Sequence, residues 1–251
     1  MENEELIRRR FMDMAQRAYN RGIVVCSDFL DLHELHILQY LNLDDLGVEL
    51  RLSGGYEEAE RQIAAFLPDA FVCFETEDFP IQCVAIRPLN DRFSEELTHR
   101  DYLGALMHLG IERSCLGDIL VQGHTAYVFC LKKMADLICR EVTRIRHTTV
   151  TAGQETLSEI PRPKVQEISG TVSSVRLDSV LAVAFGLSRS KAIPYIEGGQ
   201  VYVNARQIVS NAYGLRPGDL ISVRGLGKFR YLDVRNQSKK GKYWIDIQKF
   251  I

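Results

Sequence analysis

Hydrophobic and polar positions follow three different rhythms along the 251 residues, and each rhythm marks one stretch of chain. The first is helical. In "EELIRRRFMDMAQRAYNRG" Leu6, Phe11, Met14 and Ala18 form a stripe that stops at Gly22, which predicts an amphipathic helix. Ser27 or Asp28 can cap a second helix through "LDLHELHILQYL", ending at Asn42. "GVELRLS" predicts a strand, after which Gly54 and Gly55 lead into a charged helix, "YEEAERQIAAFL", closed by Pro68.

The second rhythm mixes periods of two and 3.6. "PIQCVAIRPL" is strand-like, "SEELTHRDYLGALMHLG" helical, and "DILVQ" and "TAYVFCL" flank Gly123-His124 as a hairpin. "KKMADLICREVTRI" is helical again and "HTTVTAG" is β-rich. The order β-α-β-β-α-β is the ferredoxin-like one, which RNA-recognition motifs also use. Tyr127 and Phe129 share a face of the third strand, but the aromatic-glycine pattern of those motifs is missing, so both are expected as core or helix-facing residues. A polar segment from Gly153 to Lys164, holding Pro161 and Pro163, marks a domain boundary.

The third rhythm is two short helices followed by strands. "SSVRLDSVLAVAFG" predicts a helix capped by Ser174, with Leu177, Leu181 and Ala184 buried and Gly186 as its stop. Ser188 caps the next, "RSKAIPYIE", with Ala192, Ile193 and Ile196 inward and Pro194 bending the exposed side. Gly198 and Gly199 release the chain into "QVYVN", and the Pro217-Gly218 turn precedes "LISVR". The expected fold class is α+β in three parts: a mainly helical α/β region over 1–75, a ferredoxin-like domain over 76–160 and a small basic domain over 165–251.

Charge sharpens this division. The chain has a formal net charge of -2, but from Val165 onward 13 Lys and Arg face 6 Asp and Glu, against 18 and 27 before it. A basic end on an acidic body points to a polyanion partner at that end. No apolar run is long enough to span a membrane, and the acidic start is the wrong charge for a signal peptide, so a cytoplasmic protein without membrane contact is expected. The six cysteines contain no C-x-x-C and are expected as reduced small hydrophobes.

The polyanion site has a local signature. A helix start exposes unpaired N–H groups and partial positive charge, so cations placed there are unfavourable unless an anion sits between them. Arg189 and Lys191, with Ser188 and Ser190, occupy such a start; Lys191 and Tyr195 share a face, either as a charge beside a stacking ring or as an ordinary solvated surface. Arg206, Arg224, Lys228 and Arg230 are expected as a basic rim around it, with Lys239, Lys240 and Lys242 on the last turn.

R-L-D, Leu181, L-S-R-S-K-A, Ile196, Gly199, V-Y-V-N and R-P-G-D-L-I-S-V together resemble the small RNA-binding domain first defined in ribosomal protein S-four, over roughly Val172 to Val223. The resemblance implies a surface of two helices and a hairpin for structured RNA and carries RNA contact to Arg176, Ser188, Arg189 and Lys191. Ala205 departs from it where glycine is usual. With "GGYEEAER", "LGDILV" and "VRGLGKFR", the whole chain resembles the bacterial YlmH family. That likeness implies binding to rRNA and tRNA on the large ribosomal subunit in ribosome-associated quality control, with a gene neighbourhood linked to cell division.

Chemistry is harder to find. Val175 stands where a pseudouridine synthase would have glycine before R-L-D, "RGLGKF" is neither a P-loop nor a methyltransferase loop, and Glu57 and Glu58 would repel a phosphate at Gly54-Gly55. His33 and His36 lack a third ligand, and no nucleophile pairing is readable; sequence separation leaves a Cys115–His124 dyad open. A non-catalytic RNA-binding factor without metal or cofactor is therefore expected. The alternatives are an RNA-modifying enzyme with an unrecognised site in the central domain and a division-related scaffold whose acidic front contacts a protein.

Overall fold

The computed structural model describes residues 2–68, 73–90, 94–156, 163–237 and 241–251. They form two compact units, Met1–Pro161 and Arg162–Ile251. Both are α+β, with antiparallel sheets.

In the first unit, α1 (Glu2–Arg21) buries Phe11, Ala15 and Ala18. Leu6 leaves the expected stripe and is 60% exposed, because five residues turn a helix until Leu6 lies roughly 140° round from Phe11. Ser27 and Asp28 are not caps; they lie in β1 (Val25–Leu30), where the Ser27 hydroxyl accepts from the Ala64 N–H at 2.9 Å. Asp31 caps α2 (Leu32–Leu38) instead, accepting from the His33 and Glu34 N–H groups at 2.9 Å, and the helix ends before Asn42.

"YEEAERQIAAFL" is not a helix. It is a turn followed by β3 (Gln62–Pro68), the centre of a β1-β3-β2 sheet with β2 (Val48–Ser53). Residues 63 to 67 are fully buried on both faces: Phe66 meets Phe11 of α1 with ring centroids 6.4 Å apart, while Ile63, Ala65 and Leu67 join the core shared with the central domain. A strand covered on both sides reads as one apolar run, which periodicity does not separate from a buried helix.

The central domain is ferredoxin-like. It runs β4 (Ile81–Pro88), α3 (His99–His108), β5 (Leu116–Gln122), β6 (Thr125–Leu131), α4 (Lys132–Glu141), a short β7 (Arg144–Ile145) and β8 (Thr148–Glu155), with sheet order β5-β6-β4-β8-β7. α3 starts later than "SEEL" because Asp101 accepts from both the N–H and the hydroxyl of Thr98, at 2.8 and 2.7 Å. Cys83 and Cys130 are buried and their thiols are pushed up to about 12 by desolvation, whereas Cys73 is exposed.

In the second unit, β9 (Val165–Val172), α5 (Leu177–Phe185), α6 (Arg189–Glu197), β10 (Val201–Val203), β11 (Arg206–Gln207), β12 (Leu220–Val223), β13 (Gly227–Gln237) and β14 (Tyr243–Phe250) build one six-stranded sheet, β11-β10-β12-β13-β14-β9. Leu177, Leu181, Ala184, Ala192 and Ile196 pack on the face made by Val201, Val203, Ile221, Val223, Phe229, Ile245 and Ile247. At the edge, α5 comes so close to β9 that a Cβ on Gly170 would lie 2.5 Å from Val183. Gly186 ends α5 in the left-handed region, and α6 runs through Pro194 to Glu197.

Candidate nucleic-acid interface

Ser174 does not cap α5. Arg176 holds that position, and the first helical N–H groups are satisfied by the 211–213 loop: Leu177 donates to the Tyr213 carbonyl at 2.8 Å and Asp178 to that of Asn211 at 3.3 Å. This docking turns Asp178 inward, where it is 1% exposed. A buried carboxylate must be paired, and it is: the Arg189 guanidinium donates to one oxygen, Ser179 to the other at 3.1 Å, and Arg176 Nε stands 3.8 Å away. Burial alone would raise the Asp178 pKa, but the hydrogen bonds from Arg189 and Ser179 prevail and hold it below the usual carboxylate range.

Part of the anion expected at the start of α6 is thus the protein's own. Ser188 has the cap conformation without a capping bond; its hydroxyl lies 2.9 Å from that of Ser190. The Arg189 side chain is still 54% exposed. It borders a cleft of about 330 Å³ lined also by Thr171, Ser173, Ser179, Leu187 and Lys242. Two cations and three hydroxyls around an open cleft suit a phosphate group. Lys191 is exposed, and among the described residues no carboxylate lies within ion-pair distance of it; Tyr195, one turn on, packs partly against the core.

The remaining cations do not form one rim. Phe229 and Tyr231 of β13 face the helices, so alternation sends Lys228 and Arg230 to the opposite face. There Lys228 stands 5.2 Å from the Phe250 ring, and Arg224 5.3 Å from that of Tyr202. Arg206 follows the tight hairpin turn at Asn204 and Ala205, both at positive φ (49° and 62°). Lys239 and Lys240 lie outside the described residues. Arg176, Arg189 and Lys242 therefore gather at the helix layer, and Arg224, Lys228 and Arg230 on the far side of the sheet. Asp178 is the site residue that sequence reasoning missed; its only signal was a carboxylate inside an apolar helix, two positions after Arg176.

The first unit has a junction where the sequence showed two unexplained strings. Gly55, at φ +92°, lies so close to Phe129 that a Cβ would be 2.7 Å from the ring, and the Tyr56 ring stacks at 5.0 Å. Asp118 of "LGDILV" accepts from the Tyr56 hydroxyl (2.6 Å) and from the N–H groups of Glu60 (2.7 Å) and Arg61 (3.2 Å). Arg61 in turn donates to the carbonyls of Leu116 and Phe29, both at 2.9 Å. Phe129 is core, as expected, but its cover is "GGYEEAER"; Tyr127 stays half-buried. Burial pushes the Tyr56 hydroxyl well up, helped by the Asp118 charge, so this is a packed joint.

No described group of three His, Cys, Asp or Glu side chains could hold a metal ion, and no described helix is long and apolar enough to cross a membrane. The histidines have other neighbours: His36 meets the Tyr40 ring edge-on at 5.0 Å, and His124 Nδ1 lies 2.9 Å from the Ser94 hydroxyl.

A ferredoxin-like domain, joined to a basic helix-pair domain whose helix start opens on a cation-lined cleft, defines a modular RNA-binding protein. The comparisons make the class particular. Residues 2–69 match the family described as "YlmH, N-terminal", 75–159 the "Putative RNA-binding domain in YlmH", and 175–221 the "S4 domain". The chain is 32% identical over 225 residues, 89% of it and 86% of the relative, to "Ribosome-associated protein quality control protein P2" of Bacillus subtilis (strain 168). It belongs to the YlmH family. Its fold is also similar, at TM-score 0.54 and 24% identity, to "Cell division protein ylmH from Streptococcus pneumoniae", over 64% of this chain and 96% of that one.

Proposed function

We propose that this protein is a non-catalytic RNA-binding factor that docks on structured rRNA or tRNA at the large ribosomal subunit, in the cytoplasm, and serves ribosome-associated quality control. The Bacillus subtilis relative's name supports the ribosomal setting. The observation that carries the reading is the cleft beside the α6 start, lined by Arg189, Lys242 and the hydroxyl residues Thr171, Ser173 and Ser179. Phosphate oxygens entering there complete a charge balance that Asp178 satisfies only in part. The acidic first unit adjusts placement on the ribosome or meets a protein partner.

Reversing Lys191 and Lys242 to glutamate, which leaves the Arg189–Asp178 pair in place, tests this. Binding of the full chain to structured RNA should fall at least ten-fold across sequences while circular dichroism stays unchanged, because phosphate contacts carry no base information. Equal affinity in the double variant would remove the docking surface. A nucleotide altered in bulk RNA only when the protein is present would replace the non-catalytic reading with an RNA-modifying one.

A further inference from the structure

The cations on the far side of the second unit's sheet form a group of their own, and the ladder register lines them up. Tyr202 of β10 pairs with Ser222 of β12, and Ser222 with Lys228 of β13. Lys228 stands 5.2 Å from the ring of Phe250 in β14, so one row crosses four strands. Arg224, just past β12, adjoins the row's other end, 5.3 Å from the Tyr202 ring. Arg230 belongs to the next row, paired with Leu220 on one side and Gln248 on the other. Ladder partners project from the same side of a sheet, and here it is the side away from the helices, because Phe229 and Tyr231 point at them.

Aromatic rings hold two of these charges in place. Tyr202 lies between Val201 and Val203, which join the helix-packed core, yet it points the other way and is still only 1% exposed. Long cationic side chains cover such rings with their stems and keep their charged heads in water. Arg224 is exposed, and Lys228 and Arg230 are half-buried. A cation already laid on a ring gives up less freedom when an anion arrives. Negative charge sits elsewhere: among the described residues, the far-side positions of these two rows in β10, β12, β13 and β14 carry no Asp or Glu. Glu167 lies beyond them on the edge strand β9, and Asp246 is engaged by Ser169 at 2.7 Å and Arg235 at 3.0 Å. Such a surface complements a polyanion. RNA is the polyanion it favours, because the same unit turns its helix side to a phosphate backbone and a folded RNA offers more than one segment.

We propose that this side of the sheet is a second phosphate-binding surface, so that the second unit holds two RNA segments, one on each side. This rests on the RNA-binding reading above and adds a contact to it. The helices and the sheet lie between the two groups of cations, so no single phosphate reaches both. Two arms of one folded RNA, or two separate RNA elements, must supply them, and the unit bridges the two.

Stoichiometry tests this. A short RNA hairpin, unable to pass round the unit, titrated into the full chain at low salt and followed by native mass spectrometry, should bind twice per chain. Arg224→Gln, Lys228→Gln and Arg230→Gln together should leave one hairpin, bound within about two-fold of the tighter original step. The Lys191 and Lys242 reversal should leave the other. If the triple variant fails to fold, Arg224→Gln alone, at an exposed position, should lower the salt slope of the weaker step by about 0.7 to 0.9 and leave that of the tighter step unchanged. One hairpin per chain in the unaltered protein, untouched by the far-side changes, would overturn the second surface and leave the cleft standing. A weaker step whose salt slope ignores Arg224→Gln would overturn it too, as would polyglutamate that displaces the second hairpin as readily as RNA does, which would assign this side to an acidic protein. A single hairpin that only the far-side changes abolish would uphold this surface and sink the cleft. No hairpin at all would sink the RNA-binding reading with both.

Discussion

Asp178 shows how one residue joins folding to binding. Its carboxylate is buried, yet the Arg189 side chain that pairs with it stays 54% exposed and lines the cleft, so one ion pair fixes a cation at the binding surface. Because its folded pKa lies below the ordinary value near 3.8, its contribution to stability is complete above that value and is lost as pH falls through the lower, folded one. Unfolding of the second unit, followed through Trp244 fluorescence, should therefore hold level from pH 7 down to about 4 and weaken below. Asp178→Asn should cost about 1 to 3 kcal/mol at neutral pH, because the hydrogen bonds to a charged acceptor are lost, and flatten part of the acid limb. A variant as stable as the parent at pH 7 would show the pair to be decoration. Ala205, by contrast, carries a positive φ that only glycine adopts freely, at a cost of about 1 kcal/mol.

At the scale of elements, legibility followed the turn and stop residues that delimit them. The hairpin of β5 and β6, the ferredoxin-like order and the helices α5 and α6 were readable because Gly123-His124 separates the strands and Gly186 ends α5. β3 was not, since both its faces are buried and its turn, residues 56 to 61, takes its shape from a residue 57 positions further on. That residue is Asp118, which accepts from two backbone N–H groups that a helix would have satisfied internally. The joint has a measurable strength. Asp118→Ala removes the acceptor shared by the Tyr56 hydroxyl and both amides, and should destabilise the first unit by about 3 kcal/mol. Hydrogen exchange should then show protection lost at Glu60 and Arg61 first, with the far end of β4 following later. Uniform loss across the unit would mean that the turn is held by Gly55 against Phe129 rather than by the carboxylate.

For the whole molecule the decisive quantity is where charge sits, not how much there is. Net charge was legible to the residue, and so was its division at Val165; its split between two faces of one sheet was not, because that depends on which side of β13 meets the helices. With a sequence pI near 6.3 the protein is an anion at pH 8, so a uniform charge distribution would forbid binding to RNA there. The cations gathered at the helix layer predict the opposite. If Arg176, Arg189, Lys191 and Lys242 each neutralise one phosphate, log affinity should fall with log salt at a slope of about -3, and raising salt from 50 to 200 mM should weaken binding about 100-fold. A slope near twice that would bring the cations on the opposite face, Arg224, Lys228 and Arg230, into the interface as well. A slope near zero would assign the recognition to uncharged contacts and leave the α6 start without a phosphate.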